Sequence, residues 1–125
     1  MNNKEEVSPA VDVKAISIKA SEFESMVVQS SVPVLVDWWA PWCGPCRMLA
    51  PTMDKLAKDF SGNALVVKVD CEENLEMASR MNIKALPTVT VWSNGKESGR
   101  LTGLRSAEDY RKMINSAIES NSSKI

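Results

Sequence analysis

Trp42-Cys43-Gly44-Pro45-Cys46 stands between an apolar run, Val34 to Ala40, and a stretch of helical periodicity. At this spacing the two thiols can close a small disulfide ring when the first turn of a helix starts at Cys43. The first thiol then lies at the helix N-terminus, where unpaired N–H groups and the positive dipole end favour a thiolate. A thiolate, not a thiol, attacks disulfides, so Cys43 reads as the nucleophile and Cys46 as the group that resolves the mixed disulfide. A structural disulfide, half of a zinc site and a pair of core thiols fit the same spacing. The flanking chain has to decide among them.

Upstream, Val34-Leu35-Val36-Asp37-Trp38-Trp39-Ala40 has apolar residues at adjacent positions, as in a strand covered on both faces. Asp37 interrupts it. Such a carboxylate either emerges at the surface or is buried with a raised pKa. Its position just before the cysteines favours burial, because a buried carboxyl beside a dithiol can accept a proton. Downstream, Leu49, Met53, Leu56, Ala57 and Phe60 mark one face of a helix from Cys43 to about Phe60, bent at the interior Pro51. Ala64 to Val69 reads as a second doubly covered strand. Lys68 within it either snorkels to the edge or comes near Asp37.

The outer segments complete an alternating pattern. Residues 1–12 are polar and read as a loose arm, and Val13 to Ile18 as a first, edge strand. Ser21 and Glu24 fit a capping box for a short helix that turns Phe23, Met26 and Val27 inward. Cys71 is expected to act as a small, half-buried hydrophobe. Glu72-Glu73-Asn74 is expected to start a short helix that buries Leu75, Met77, Ala78 and Met81. Val89 to Trp92 alternates like a strand with one wetter face, and Asn94-Gly95 signals a hairpin into a return strand over 96–102. Ser106 caps a last helix with Tyr110, Met113, Ile114, Ala117 and Ile118 inward. The order β-α-β-α-β-α-β-β-α predicts an α/β fold whose mixed central sheet of four to five strands has helices on both faces. The domain is expected over 13–120, with a frayed tail over 121–125.

Composition narrows the chemistry. A chain of 125 residues forms one domain that needs no metal or disulfide to hold its core. The formal charge of −1 gives no electrostatic case for nucleic acid or an anionic membrane. Histidine is absent, which removes Cys–His catalysis, histidine bases and His-containing metal sites. Three cysteines, two of them motif-spaced, suit a reducing compartment better than an extracellular disulfide framework. The N-terminus lacks a signal peptide's basic start and apolar run, and no run of about 18 apolar residues is present. A soluble, cytoplasmic protein is the expectation, or a plastid stromal or mitochondrial matrix one if a transit peptide has been removed.

Trp39-Ala40-Pro41-Trp42-Cys43-Gly44-Pro45-Cys46, the strand carrying Asp37, and Leu86-Pro87-Thr88 some forty residues later together resemble the thioredoxin family over about residues 16–119. The resemblance implies the thioredoxin fold and a protein-disulfide reductase that carries electrons by dithiol–disulfide exchange. It makes Cys43 the exposed attacking thiol and Cys46 the buried resolving one, forming the redox-active disulfide. Asp37 becomes the carboxyl that handles the Cys46 proton, with Lys68 beside it. Pro87 becomes a cis-proline facing the dithiol, with the Leu86 backbone pairing with the substrate. Trp42, Gly44, Pro45, Ala85 and Gly103 become the apolar docking rim. The implied partners are disulfide-containing target proteins and a thioredoxin reductase driven by NADPH or ferredoxin. The implied state is a monomer, with no cofactor beyond the dithiol. Gly44-Pro45 lacks the histidine that more oxidising relatives often carry there, which favours a reductant. Ala85, where glycine is common, narrows the groove by one methyl, and Trp38 and Met81 also depart from the usual residues.

Two other readings compete. A thioredoxin-fold scaffold subunit would not need both sulfurs. A zinc site from Cys43, Cys46 and Cys71 lacks a fourth ligand.

Overall fold

A computed structural model describes residues 13–122; the expected arm over 1–12 and the end of the expected tail, 123–125, lie outside them. The elements are β1 (Ile16–Ser17), α1 (Ala20–Phe23), which runs on as a π-helical turn (Glu24–Val28), and β2 (Val34–Trp39). Then come α2 (Gly44–Asp59), β3 (Leu65–Asp70), α3 (Leu75–Arg80), β4 (Thr88–Ser93), β5 (Lys96–Thr102) and α4 (Ala107–Ser122). The last helix therefore continues past residue 120, where fraying was expected.

The five strands lie in the order β1-β3-β2-β4-β5. β2 pairs parallel with β3 and antiparallel with β4, so the apolar run of β2 is the central strand. Its side chains alternate between two cores. Leu35 joins Val66, Val89 and the inner faces of α2 and α4, while Val34, Val36 and Trp38 join Phe23, Val27 and Met77 on the other side. Both faces of β2 are thus dry, which explains the lack of alternation in its sequence. Asp37 falls on the Leu35 face, and its parallel register partner is Lys68.

α2 passes through Pro51 without a break and buries Leu49, Met53, Leu56 and Ala57. Asn94 and Gly95 take φ of 56° and 81°, the left-handed pair that a two-residue hairpin requires. Ser106 Oγ accepts from the Asp109 N–H at 3.3 Å, as expected of its cap.

Four local expectations are corrected. The first helix starts two residues early: Glu22, not Glu24, reaches back, and its Oε1 accepts from the Lys19 N–H at 2.8 Å. Lys19 has no side-chain acceptor, so carboxylate position rather than a hydroxyl cap sets this end. The first strand is only two residues long, at the sheet edge. Thr88 to Val91 are all buried, so β4 has no wet face. Thr90 is buried because its Oγ1 accepts from two indoles, Trp38 Nε1 at 3.0 Å and Trp92 Nε1 at 3.1 Å. Leu75 is 71% exposed rather than inward, because α3 begins there and turns Met77 and Ala78 to the core instead.

Candidate active site

Cys43 is the N-cap of α2 and is joined to Cys46 by a disulfide with a Cα–Cα distance of 5.2 Å. One helical turn brings the two residues this close, and Pro45 fits because a first-turn proline has no helical hydrogen bond to lose. The Sγ of Cys43 accepts from the Cys46 N–H at 3.2 Å. When the disulfide is reduced, that N–H and the helix dipole favour negative charge on Cys43 sulfur. The Cys43 N–H donates to Ala40 O and the Arg47 N–H to Cys43 O, so the turn carrying the sulfurs is pinned at both ends.

Cys43 is less open than expected of an attacking thiol, at 6% exposure against 2% for Cys46. Both sulfurs pack with Ala40 against Trp39 and Leu86. Access to Cys43 comes from one side: it lines a groove of about 490 Å³ with Trp42, Cys71, Leu75, Ala85 and Leu86. Cys46 does not line it. A disulfide entering this groove meets Cys43 first.

Trp42 stands at the mouth, 67% exposed. The Leu86–Pro87 bond is cis, and the Pro87 carbonyl accepts from the Gly103 N–H at 2.8 Å. Gly103 has a φ of 86°, so its place here is to hold the turn after β5 against Pro87. Thr88 Oγ1 donates to Ala85 O at 2.6 Å, which fixes the loop over 85–88 on the groove's far wall. Of the expected rim, the groove gathers Trp42, Ala85 and Leu86, while Gly44, Pro45, Pro87 and Gly103 lie outside its lining. Leu75 and Cys71 line it and were not expected there. Both sit after β3 in sequence: the Cys71 N–H is held by Trp39 O at 2.8 Å, and the turn at Glu72–Asn74, held by Asp70, brings Leu75 to the groove.

Asp37 is wholly buried, and neither carboxyl oxygen has a hydrogen-bond partner among the described residues. Burial raises its pKa to about 7, with the Lys68 charge pulling the other way. A carboxyl poised near neutrality can hold or release a proton at working pH. Lys68 sends its ammonium over the Trp39 ring, 4.6 Å from the centroid. Cys71 is a free, buried thiol whose pKa is pushed up to about 11 by burial, then by Asp70 and Asp37. Among the described residues no three His, Cys, Asp or Glu side chains gather as metal ligands would.

A family model described as Thioredoxin matches residues 14–116. "Thioredoxin M4, chloroplastic" of Arabidopsis thaliana is 40% identical over 105 residues, which cover 84% of this chain and 54% of that protein. The chain thus spans about half the length of that relative. "Thioredoxin 1" of a Nostoc species is 44% identical over 89 residues, 71% of this chain and 83% of that one. Among solved structures, a single-site mutant of thioredoxin from Halobacterium salinarum superposes with a TM-score of 0.76 at 30% identity, covering 87% of this chain and 95% of that one.

Proposed function

The chain belongs to the thioredoxin family, and from that premise we propose how its site works. It is a protein-disulfide oxidoreductase whose reactive group is the Cys43–Cys46 pair. In our reading it runs as a reductase. The Cys43 thiolate attacks one sulfur of a target disulfide in the groove beside Trp42 and Leu86, expelling the other target sulfur as a thiolate. Cys46 then gives its proton to Asp37 and attacks Cys43 sulfur. The second target sulfur leaves, and this protein is left oxidised while the target holds two thiols.

The observation that carries this reading is a disulfide at the first turn of α2, set on the sheet face that also buries an unpaired carboxyl. The helix start favours the Cys43 thiolate, and no histidine is present to do so. Lys68 is the neighbour that tempers Asp37. Trp42, Ala85 and Leu86 would contact the incoming segment, with Gly44, Pro45, Pro87 and Gly103 shaping the turns around it. Turnover needs an external electron donor, in our reading a thioredoxin reductase driven by NADPH or ferredoxin. No helix among the described residues is long and apolar enough to cross a membrane. We place the protein in a reducing aqueous compartment, the cytosol or, in line with the similarity to a chloroplastic relative, the plastid stroma.

Trapping tests the order of attack. With a disulfide-bonded protein substrate, Cys46→Ser is expected to accumulate a mixed disulfide through Cys43, and Cys43→Ser is expected to accumulate none. Equal trapping by both variants, or by neither, would overturn the assignment. Full biological activity of a variant lacking both cysteines would instead favour a scaffold.

A further inference from the structure

Trp39 follows Asp37 by two residues on the same face of β2, and Lys68 stands beside Asp37 in the parallel register of β3. A lysine so placed could close on the carboxyl. It does not: no ion pair or hydrogen bond reaches either Asp37 oxygen among the described residues. The Lys68 ammonium lies instead 4.6 Å from the Trp39 ring centroid, within cation–π range. The Trp39 Nε1–H is itself buried without a partner, so the indole's donor has no visible use and its ring face does. That ring also packs against the Ala40, Cys43 and Cys46 cluster.

We propose that Trp39 is a positioning residue: by holding the Lys68 ammonium on its ring it keeps Lys68 from pairing with Asp37, and so leaves the carboxyl free for the Cys46 proton. This rests on the reading of Asp37 as the proton acceptor. An opposite charge brought to contact favours the carboxylate and weakens it as a base, typically by one pH unit or more. A ring that restrains the lysine at a distance keeps Coulombic influence without that loss.

The surroundings act in the same direction. Lys68 opens onto a cleft lined by Glu22, Asp70 and Glu73, with Lys19 opposing them. The three carboxylates that line this cleft favour an ammonium facing it rather than Asp37. Around Asp37, the other ionisable groups that sense it are the Cys71 thiol and the Tyr110 hydroxyl of α4, both made harder to ionise by its charge. Cys43 and Cys46 do not titrate while joined as a disulfide.

The test follows the Asp37 carboxyl by carbon NMR in the oxidised protein, and the pH profile of mixed-disulfide resolution in the working enzyme. Trp39→Leu is expected to lower the Asp37 midpoint by about one pH unit, and to move the resolution profile with it. Trp39→Phe, which keeps a ring face, is expected to shift it less. In a Lys68→Met background, Trp39→Leu is expected to add nothing. An unmoved midpoint in Trp39→Leu, or an equal shift without the lysine, would overturn the proposal. If Trp39→Leu does not fold, Trp39→Phe with and without Lys68→Met carries the same comparison. An unmoved midpoint alongside slow resolution in Asp37→Asn sinks this inference alone. A moved midpoint that the rate profile ignores sinks the proton-acceptor reading and, with it, the role given to Trp39.

Discussion

Asp37 is held in the sheet interior with its carboxyl at a pKa of about 7, raised from 3.8 by burial. Between those values the unfolded chain gives up this proton and the folded chain keeps it. Stability from this group is therefore greatest at low pH, falls as pH rises through the window, and levels off above about 7. A gap of about three pH units corresponds to roughly 4 kcal/mol. Asp37→Asn, which cannot ionise, is expected to gain on the order of 2–4 kcal/mol over the parent at pH 8 and little at pH 4. Urea titrations of the oxidised protein at both values measure it. An equal gain at both pH values would show that charge burial is not the cause. The oddity of Asp37 is legible in the sequence, because a carboxylate breaks an otherwise apolar strand. The part of Trp39 is not, because an aromatic beside cysteines reads as core and its contact with Lys68 exists only through the register of β2 on β3.

The secondary-structure elements were legible in proportion to how local their causes are. Asn94-Gly95 announces the β4–β5 hairpin because the two left-handed φ values it requires are a property of those two residues. Gly95→Ala is expected to cost about 1–2 kcal/mol. The added Cβ would keep a φ of 81° and meet the Val28 carbonyl at 3.3 Å. The urea midpoint should fall with an unchanged slope; an unchanged midpoint would mean that the turn relaxes freely. Helix α2 was equally plain from its apolar period and its cysteine start. The dryness of β4 was not, because Thr90 looks like an outward residue until Trp38 and Trp92 supply two indole donors to its oxygen. Leu75 misleads for a related reason. Its spacing from Ala78 and Met81 suggests an inward stripe, but α3 is a short helix, and its first residue overhangs the groove.

Across the molecule, one sheet divides two cores and belongs to both. Leu35 and Val66 project to one, and Val34, Val36, Val67 and Val69 to the other, from the same pair of strands. Neither core survives the loss of β2 or β3. Unfolding is expected to be a single cooperative transition, with a urea slope of about 1–3 kcal/mol/M. Tryptophan fluorescence, to which Trp38 and Trp92 of one core contribute along with Trp39 and Trp42 at the site, should coincide with helical far-UV signal, to which α2 and α4 contribute most. Separated curves would show that the two sides melt independently. A mixed sheet with helices on both faces could be read from the order of elements. The strand order β1-β3-β2-β4-β5 could not, because spatial order depends on which crossovers pack and not on any one segment.

Three sulfurs share the neighbourhood of one groove, and in the proposed reductase cycle only two carry electrons. Cys71 opens onto the same cleft as Cys43. Any thiolate there would compete with Cys46 for the covalent intermediate and divert electrons into the wrong pair. With its pKa near 11, only about one Cys71 in ten thousand is ionised at neutral pH. Burial and the charge of Asp70 thus insulate the third sulfur, and the carboxyl of Asp37 adds to that insulation whenever it is ionised. In that cycle, selectivity follows from leaving the bystander protonated.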